Sequence, residues 1–191
     1  MPDRRRSDHR SPGIVNLHAR AAHPSIDRVG GSARHCWLMR RDLHVPSPGI
    51  CWAGHMRPQA FSLEFAGEAH RLLTHAYNGQ VGDIVDYKTW LAELQNDPEH
   101  NVDLCYTAWD DQGMVGFVQG WTSAFIKDLV VHPRARHQGI GLNLLTHAFE
   151  VFRQRNEAFV DLNVMENNFA ARCLYEKAGM RYVQRQEMDP R

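Results

Sequence analysis

The stretch that most constrains this chain is Arg136-His137-Gln138-Gly139-Ile140-Gly141. It follows an apolar run, Phe125 to Val131, that reads as a strand. It precedes Leu142, Leu145, Ala148, Phe149 and Phe152, which recur at helical spacing. Two glycines one residue apart let bare backbone N–H groups approach an anion, and the helix behind them adds the positive end of its dipole. A Gly-x-Gly pair alone also suits an ordinary tight turn. Here it is followed, about twenty-five residues on, by a second block, Asn168-Phe169-Ala170-Ala171-Arg172-Cys173-Leu174-Tyr175-Glu176-Lys177-Ala178-Gly179. Together the two blocks suggest a phosphate-bearing cofactor and a group-transfer reaction.

The chain has 191 residues, enough for one ordinary domain with its own core. No apolar run approaches the ~20 residues that a membrane helix needs, so no membrane partner is expected. Cys36, Cys51, Cys105 and Cys173 lack CxxC spacing, and the twelve histidines form neither HxxxH nor HExxH. No metal site or disulfide framework is indicated, and a reducing cytoplasm is the default location.

The formal net charge of zero hides an asymmetry. Residues 1–55 carry nine Arg, no Lys, four Asp and no Glu, giving +5 before His. That segment lacks any sustained helical or strand period, so it reads as a basic, mostly disordered extension ahead of a folded domain at 56–191. It could be a basic arm for an acidic partner or nucleic acid, or an organelle transit peptide. The favoured reading is an unconstrained tail, with translation starting at Met56, so no nucleic-acid partner is expected. One short strand within 32–54 is compatible with Trp37, Leu38, Met39, Leu43, Val45, Ile50 and Trp52.

Within the domain the pattern predicts a helix over 60–76 ended by Asn78-Gly79, a loop over 82–86, and a second helix over 87–95. Three strands follow, over 102–109, 114–121 and 124–131, joined by tight turns at 110–113 and 122–123 into an antiparallel meander. A helix over 141–155, an alternating strand over 158–164, a helix over 168–178 capped by Gly179, and a strand over 180–186 complete the order.

Val131-His132-Pro133 through Gly141 resembles the signature of the GNAT superfamily of N-acetyltransferases, in which Arg/Gln-x-x-Gly-x-Gly/Ala follows a strand ending in Val-x-Pro. Leu162, Val164, Asn168, Ala171, Tyr175 and Gly179 match the same family's second pattern. The resemblance is sharp over 125–182 and weak over 57–124. It implies an α/β (α+β) GNAT fold: a central mixed, mostly antiparallel sheet flanked by helices, with splayed strands forming the acetyl-CoA cleft. It implies that backbone N–H groups of His137, Gln138, Gly139, Ile140, Gly141 and Leu142 hold the cofactor's pyrophosphate, with Arg136 as counter-charge. Leu129, Val130 and Val131 would pair with the pantetheine arm like a borrowed strand. Asn168 would reach the cofactor arm, beside Ala171, or simply cap its helix. Tyr175 would be the general acid for the departing thiolate, or a core aromatic.

The base is less clear from the residues. Polyamine-acetylating relatives read Glu-Asp-Leu/Phe on this strand, and this chain reads Lys127-Asp128-Leu129. Lys127 stands at the expected Glu position, and alternation puts Asp128 on the opposite face. Asp128 could act through water, a carboxylate of the 83–86 loop could serve instead, or Asp128 could be structural. A Lys127 side chain in the cleft would favour an acceptor bearing a carboxylate, whereas the domain's acidic balance argues weakly for a cationic one. Tyr77, Tyr87 and Trp90 could wall the acceptor site or belong to the core. The expected activity is acetyl transfer from acetyl-CoA to a primary amine of a small molecule or amino acid by direct attack. The alternatives are a protein N-terminus or lysine as acceptor, or a CoA-binding sensor without turnover. Edge strands often pair between subunits in the family, so a homodimer is the oligomer the resemblance allows.

Overall fold

The computed structural model describes residues 34–47, 49–77 and 84–188. In chain order these form strands β1 (Arg34–Asp42) and β2 (Arg57–Ala60), helices α1 (Ala66–Tyr77) and α2 (Tyr87–Asn96), and strands β3 (His100–Asp110), β4 (Gly113–Trp121) and β5 (Phe125–Val131). Helix α3 (Ile140–Gln154), strand β6 (Phe159–Met165), helix α4 (Phe169–Lys177) and strand β7 (Arg181–Met188) follow. The seven strands make one sheet in the order β2-β3-β4-β5-β6-β1-β7. Only the β5–β6 pair is parallel.

The largest departure from the sequence reading is β1. It lies between β6 and β7 and is antiparallel to both, with Met39 opposite Leu162 on one side and Tyr182 on the other. Residues 34–55 are therefore not a free extension: Cys36, Met39 and Leu43 are buried. Residues 1–33 lie outside the described residues. The buried Arg41 side chain ties β1 to its surroundings, donating to the carbonyls of Gly179, Val45 and Pro46 at 3.3, 2.9 and 2.8 Å. Gly179 follows the end of α4, where carbonyls point outward and a cation suits the helix dipole. The segment after β1 is fixed to α3 by the buried Asn143, whose amide pairs with both the N–H and the C=O of Cys51.

The other departure is at the first helix. Residues 57–60 pair with β3 as an edge strand, and a 3-10 turn at Leu63–Phe65 precedes α1. Pro58 is tolerated there because an edge strand leaves one row of N–H groups unused. The expected cap at Asn78-Gly79 lies outside the described residues, as does part of the loop at 82–86. The meander β3-β4-β5 and the later β-α-β-α-β run follow the expected order. On β6 the alternation is realised directly: Val160, Leu162 and Val164 are buried.

Two apolar clusters flank the sheet. Ile140, Leu144, Leu145, Ala148, Phe149 and Phe152 of α3 pack with Val118, Val160 and Leu162. Ala69, Leu72, Leu73, Trp90 and Leu94 of α1 and α2 pack with Phe117 and Val130. Helix α3 sits close on β4 because Gly116 lacks a side chain. A Cβ there would stand 2.7 Å from Leu144 and 2.9 Å from Ile140. That contact fixes the glycine loop at the head of α3 against the end of β5.

Candidate active site

Strands β5 and β6 pair at only two positions, Phe125 with Asp161 and Ile126 with Leu162. Beyond Ile126 they diverge. Leu129, Val130 and Val131 keep their ladder to β4 on one side, and no ladder to β6 takes the other side. A chain with amide groups could pair with that open edge as an added strand.

At the point of divergence β5 carries a bulge. Gln119 faces Asp128, but the next pair is Gly120 with Ile126, so Lys127 has no partner. One extra residue moves the following side chains to the other face. Ile126 packs in the α3 cluster, whereas Val130, four residues on, packs in the α1/α2 cluster. Asp128 thereby turns towards α1. Its Oδ1 accepts a hydrogen bond from the Tyr77 hydroxyl at 3.0 Å. Burial raises the Asp128 pKa above the ordinary carboxylate range, opposed by the positive charge of Lys127 and by the Tyr77 hydrogen bond.

Lys127 does not enter the cleft. Its Nζ lies 3.7 Å from Asp97 Oδ2 and 5.3 Å from the centre of the Trp121 ring. The expectation of a cleft lysine selecting a carboxylate-bearing acceptor is therefore corrected: the bulge sends Lys127 outward.

Tyr175, on α4, is buried, with its pKa pushed up to about 12 by burial and then by the charge of Asp128. The same charge, after burial, raises Tyr77 well above its usual value. Two phenols that stay protonated thus flank one carboxylate whose own charge is disfavoured. Sequence reasoning did not connect Tyr77 to Asp128. Tyr77 lies 51 positions before Asp128, and no spacing rule links the end of α1 to a bulge in β5.

The glycine loop closes the other end of the cleft. Gly139 is the N-cap of α3 with φ +79°, a left-handed conformation that glycine adopts without strain. His137 also has positive φ, at 62°. Among the described residues no protein acceptor takes the N–H groups of His137 to Leu142; the first helical bond of α3 is from Asn143 to Gly139. Free N–H groups at a helix start form a seat for an anion. The side chain of Ile140 is in the core, so its contribution is backbone alone. Gly141 faces Leu174 and Val131, where a Cβ would lie 3.1 and 3.5 Å from their side chains.

The two arginines at this loop differ. Arg134 is held by Asp110 through two hydrogen bonds, at 3.2 and 2.8 Å. Among the described residues the Arg136 guanidinium has a single weak bond, to the Val131 carbonyl at 3.4 Å, which leaves its charge available to an anion at the loop. Asn168 is the N-cap of α4, accepting from the Ala171 N–H at 3.2 Å. That bond uses the Ala171 N–H and leaves the Asn168 amide NH₂ for other partners. The described residues contain no group of three or more metal-ligating side chains. No helix among them is long and apolar enough to cross a membrane.

A sheet that opens between two parallel strands, with a bare N–H loop at one end of the gap and a half-buried carboxylate beside two phenols further in, defines a class of group-transfer protein. The sequence profile of the acetyltransferase (GNAT) family matches residues 67–180, and the chain belongs to that family. It is 29% identical over 124 residues to an uncharacterized N-acetyltransferase of Archaeoglobus fulgidus, covering 60% of this chain and 80% of that one. The fold superposes on a GCN5-related N-acetyltransferase from Sphaerobacter thermophilus with a TM-score of 0.69 at 26% identity. That match covers 83% of this chain and 53% of the other, so this chain spans about half the length of the Sphaerobacter protein. An aminoglycoside acetyltransferase from an uncultured soil metagenomic sample shares the fold at 16% identity and a TM-score of 0.53, covering 65% of this chain and 87% of that one. The profile match excludes β1, which the Sphaerobacter superposition is long enough to include.

Proposed function

We propose that this protein transfers the acetyl group of acetyl-CoA to a primary amine of a small molecule by direct attack. The observation that carries this reading is the gap between β5 and β6, bounded by unused backbone N–H groups at one end and by Asp128 and Tyr175 at the other. The N–H groups of His137 to Leu142, with Arg136, suit a pyrophosphate. The open edge of Leu129 to Val131 suits an amide-bearing arm, and Asn168 can offer its NH₂ to the same arm. Acetyl-CoA supplies an activated thioester carbonyl.

The residues would then divide the proton work. The acceptor's ammonium first gives one proton to solvent, which frees the nitrogen lone pair; Asp128, accessible as carboxylate above its raised pKa, takes the second proton as that nitrogen attacks. The amine nitrogen forms its bond to the carbonyl carbon, and the carbon–sulfur bond breaks. Tyr175 gives its hydroxyl proton to the sulfur as it leaves. The cleft groups identified here, Asp128, Tyr77 and Tyr175, include no cation, which supports an acceptor that itself arrives positively charged.

The test is thiol release from acetyl-CoA across a panel of di- and polyamines, aminoglycosides, amino acids and peptides with free N-termini. The expected substrate is a cationic small amine. Asp128→Asn and Tyr175→Phe should each lower its turnover by ~10²–10⁴ while leaving acetyl-CoA affinity within a few-fold. Turnover on peptides alone would move the acceptor to proteins. Acetyl-CoA binding with no turnover on any amine would make the protein a sensor.

A further inference from the structure

The hydrogen bond between Tyr77 and Asp128 has no counterpart in the sequence patterns that pointed to the cleft. Tyr77 is the last residue of α1, and α1 packs its other inward residues, Ala69, Leu72 and Leu73, into the α1/α2 cluster. The phenol ring packs against the same cluster, so its position is set by the core and not by the cleft. Among the described residues Tyr77 is the only hydrogen-bond donor to the Asp128 side chain, at 3.0 Å to Oδ1. The direct cross-strand neighbour, Gln119, is fully buried with both amide atoms unpaired by protein, and it supplies no second bond.

We propose that Tyr77 is the positioning residue of this site: its hydroxyl holds Oδ1 of Asp128 and leaves Oδ2 as the oxygen that meets the acceptor amine. This rests on the reading of Asp128 as base. A carboxylate at a bulge, on a strand that has just lost one neighbour, would otherwise turn among rotamers. The hydrogen bond selects one, and it stabilises the charged form that a base must have. The groups that face Asp128 are Tyr77 from α1, Tyr175 from α4 and Cys105 from β3, with Lys127 beside it on its own strand. Tyr77, Tyr175 and Cys105 are all held protonated by burial well beyond neutral pH. Lys127 is occupied by Asp97. Burial lifts Asp128 above the ordinary carboxylate range, against the opposing pull of Lys127 and the Tyr77 hydrogen bond, so its titration is the one that reports on that bond.

The experiment is a carboxyl-carbon NMR titration of the full-length protein carrying ¹³C-labelled Asp, with Asp128→Asn identifying the resonance. No acceptor is needed. In Tyr77→Phe, which keeps the ring and its packing, the Asp128 midpoint should rise by about one pH unit, a tenfold change, as expected when one hydrogen bond to a charged group is lost. In the unmodified protein the Tyr77 Cζ resonance should shift with the Asp128 midpoint, a readout that survives if the variant folds poorly. An unmoved midpoint in a folded Tyr77→Phe, or a Tyr77 resonance flat through the Asp128 titration, overturns the proposal. Failure of the base reading has a different sign: Asp128→Asn would keep full turnover on a competent amine whatever the NMR shows.

Discussion

Replacing Met39 with Ala tests whether β1 is part of the domain. Met39 has no exposed surface and sits mid-strand between Leu162 and Tyr182, inside the cluster that contains α3. Truncation removes three buried heavy atoms and leaves a cavity with β-strands on both sides, which relax little. Large-to-small changes of this kind cost about 2–5 kcal/mol, and a central strand argues against the low end. For a domain of this size each kcal/mol moves the melting temperature by about 2–4 °C, so a drop on the order of 10 °C is expected. Urea unfolding at constant slope would give the free energy directly. Val183→Ala, at a half-exposed position on β7, is the control and should stay within about 0.5 kcal/mol. A Met39→Ala protein that melts like the control would refute the placement of β1 and return residues 34–55 to an extension.

Three further outcomes are expected. Gly139→Ala forces a side chain into φ +79°, costing about 1–2 kcal/mol, and should weaken CoA binding in calorimetry at least several-fold as the loop relaxes; unchanged affinity would detach the loop from the cofactor. Asp128→Asn should make the protein more stable at neutral pH and above. The folded-state pKa of Asp128 is raised, so the stability it contributes is present at low pH and is lost as pH rises through that pKa. Denaturation at pH 4 and pH 8 should show the variant's advantage only at the higher pH. Lys127→Ala should change turnover and stability little, because the side chain is outside the cleft in an ion pair worth about 0–1 kcal/mol; a large loss of turnover would put Lys127 back at the acceptor.

The sequence was legible where a local rule governed the structure. The hairpin at 110–113, the glycine loop, the alternation along β6 and the Asn168 cap each depend on a few neighbouring residues, and each is found within a residue or two of its expected place. What was hidden depended on distant partners. Arg34–Asp42 has no unusual strand signal; it is a strand because β6 and β7 offer it two edges. The bulge at Lys127 has no glycine or proline on its own strand to mark it, yet it decides which of two adjacent charged residues turns towards α1. Strict alternation says only that Lys127 and Asp128 take opposite faces; the one unpaired residue sets which of them turns towards α1.

The insertion of β1 also bears on how the chain reaches its fold. Its contacts are among the most distant in the molecule: Arg40 meets Asp161 across 121 positions and Cys36 meets Gln186 across 150. Closing loops of that size precedes any reward from pairing, and folds rich in such contacts assemble slowly. Until β6 and β7 arrive, both hydrogen-bonding edges of β1 are open and its apolar residues are uncovered, the condition in which strands capture other chains. The first of the described strands to leave the ribosome is therefore among the last to be seated, and in the interval between the two its open edges expose the chain to aggregation.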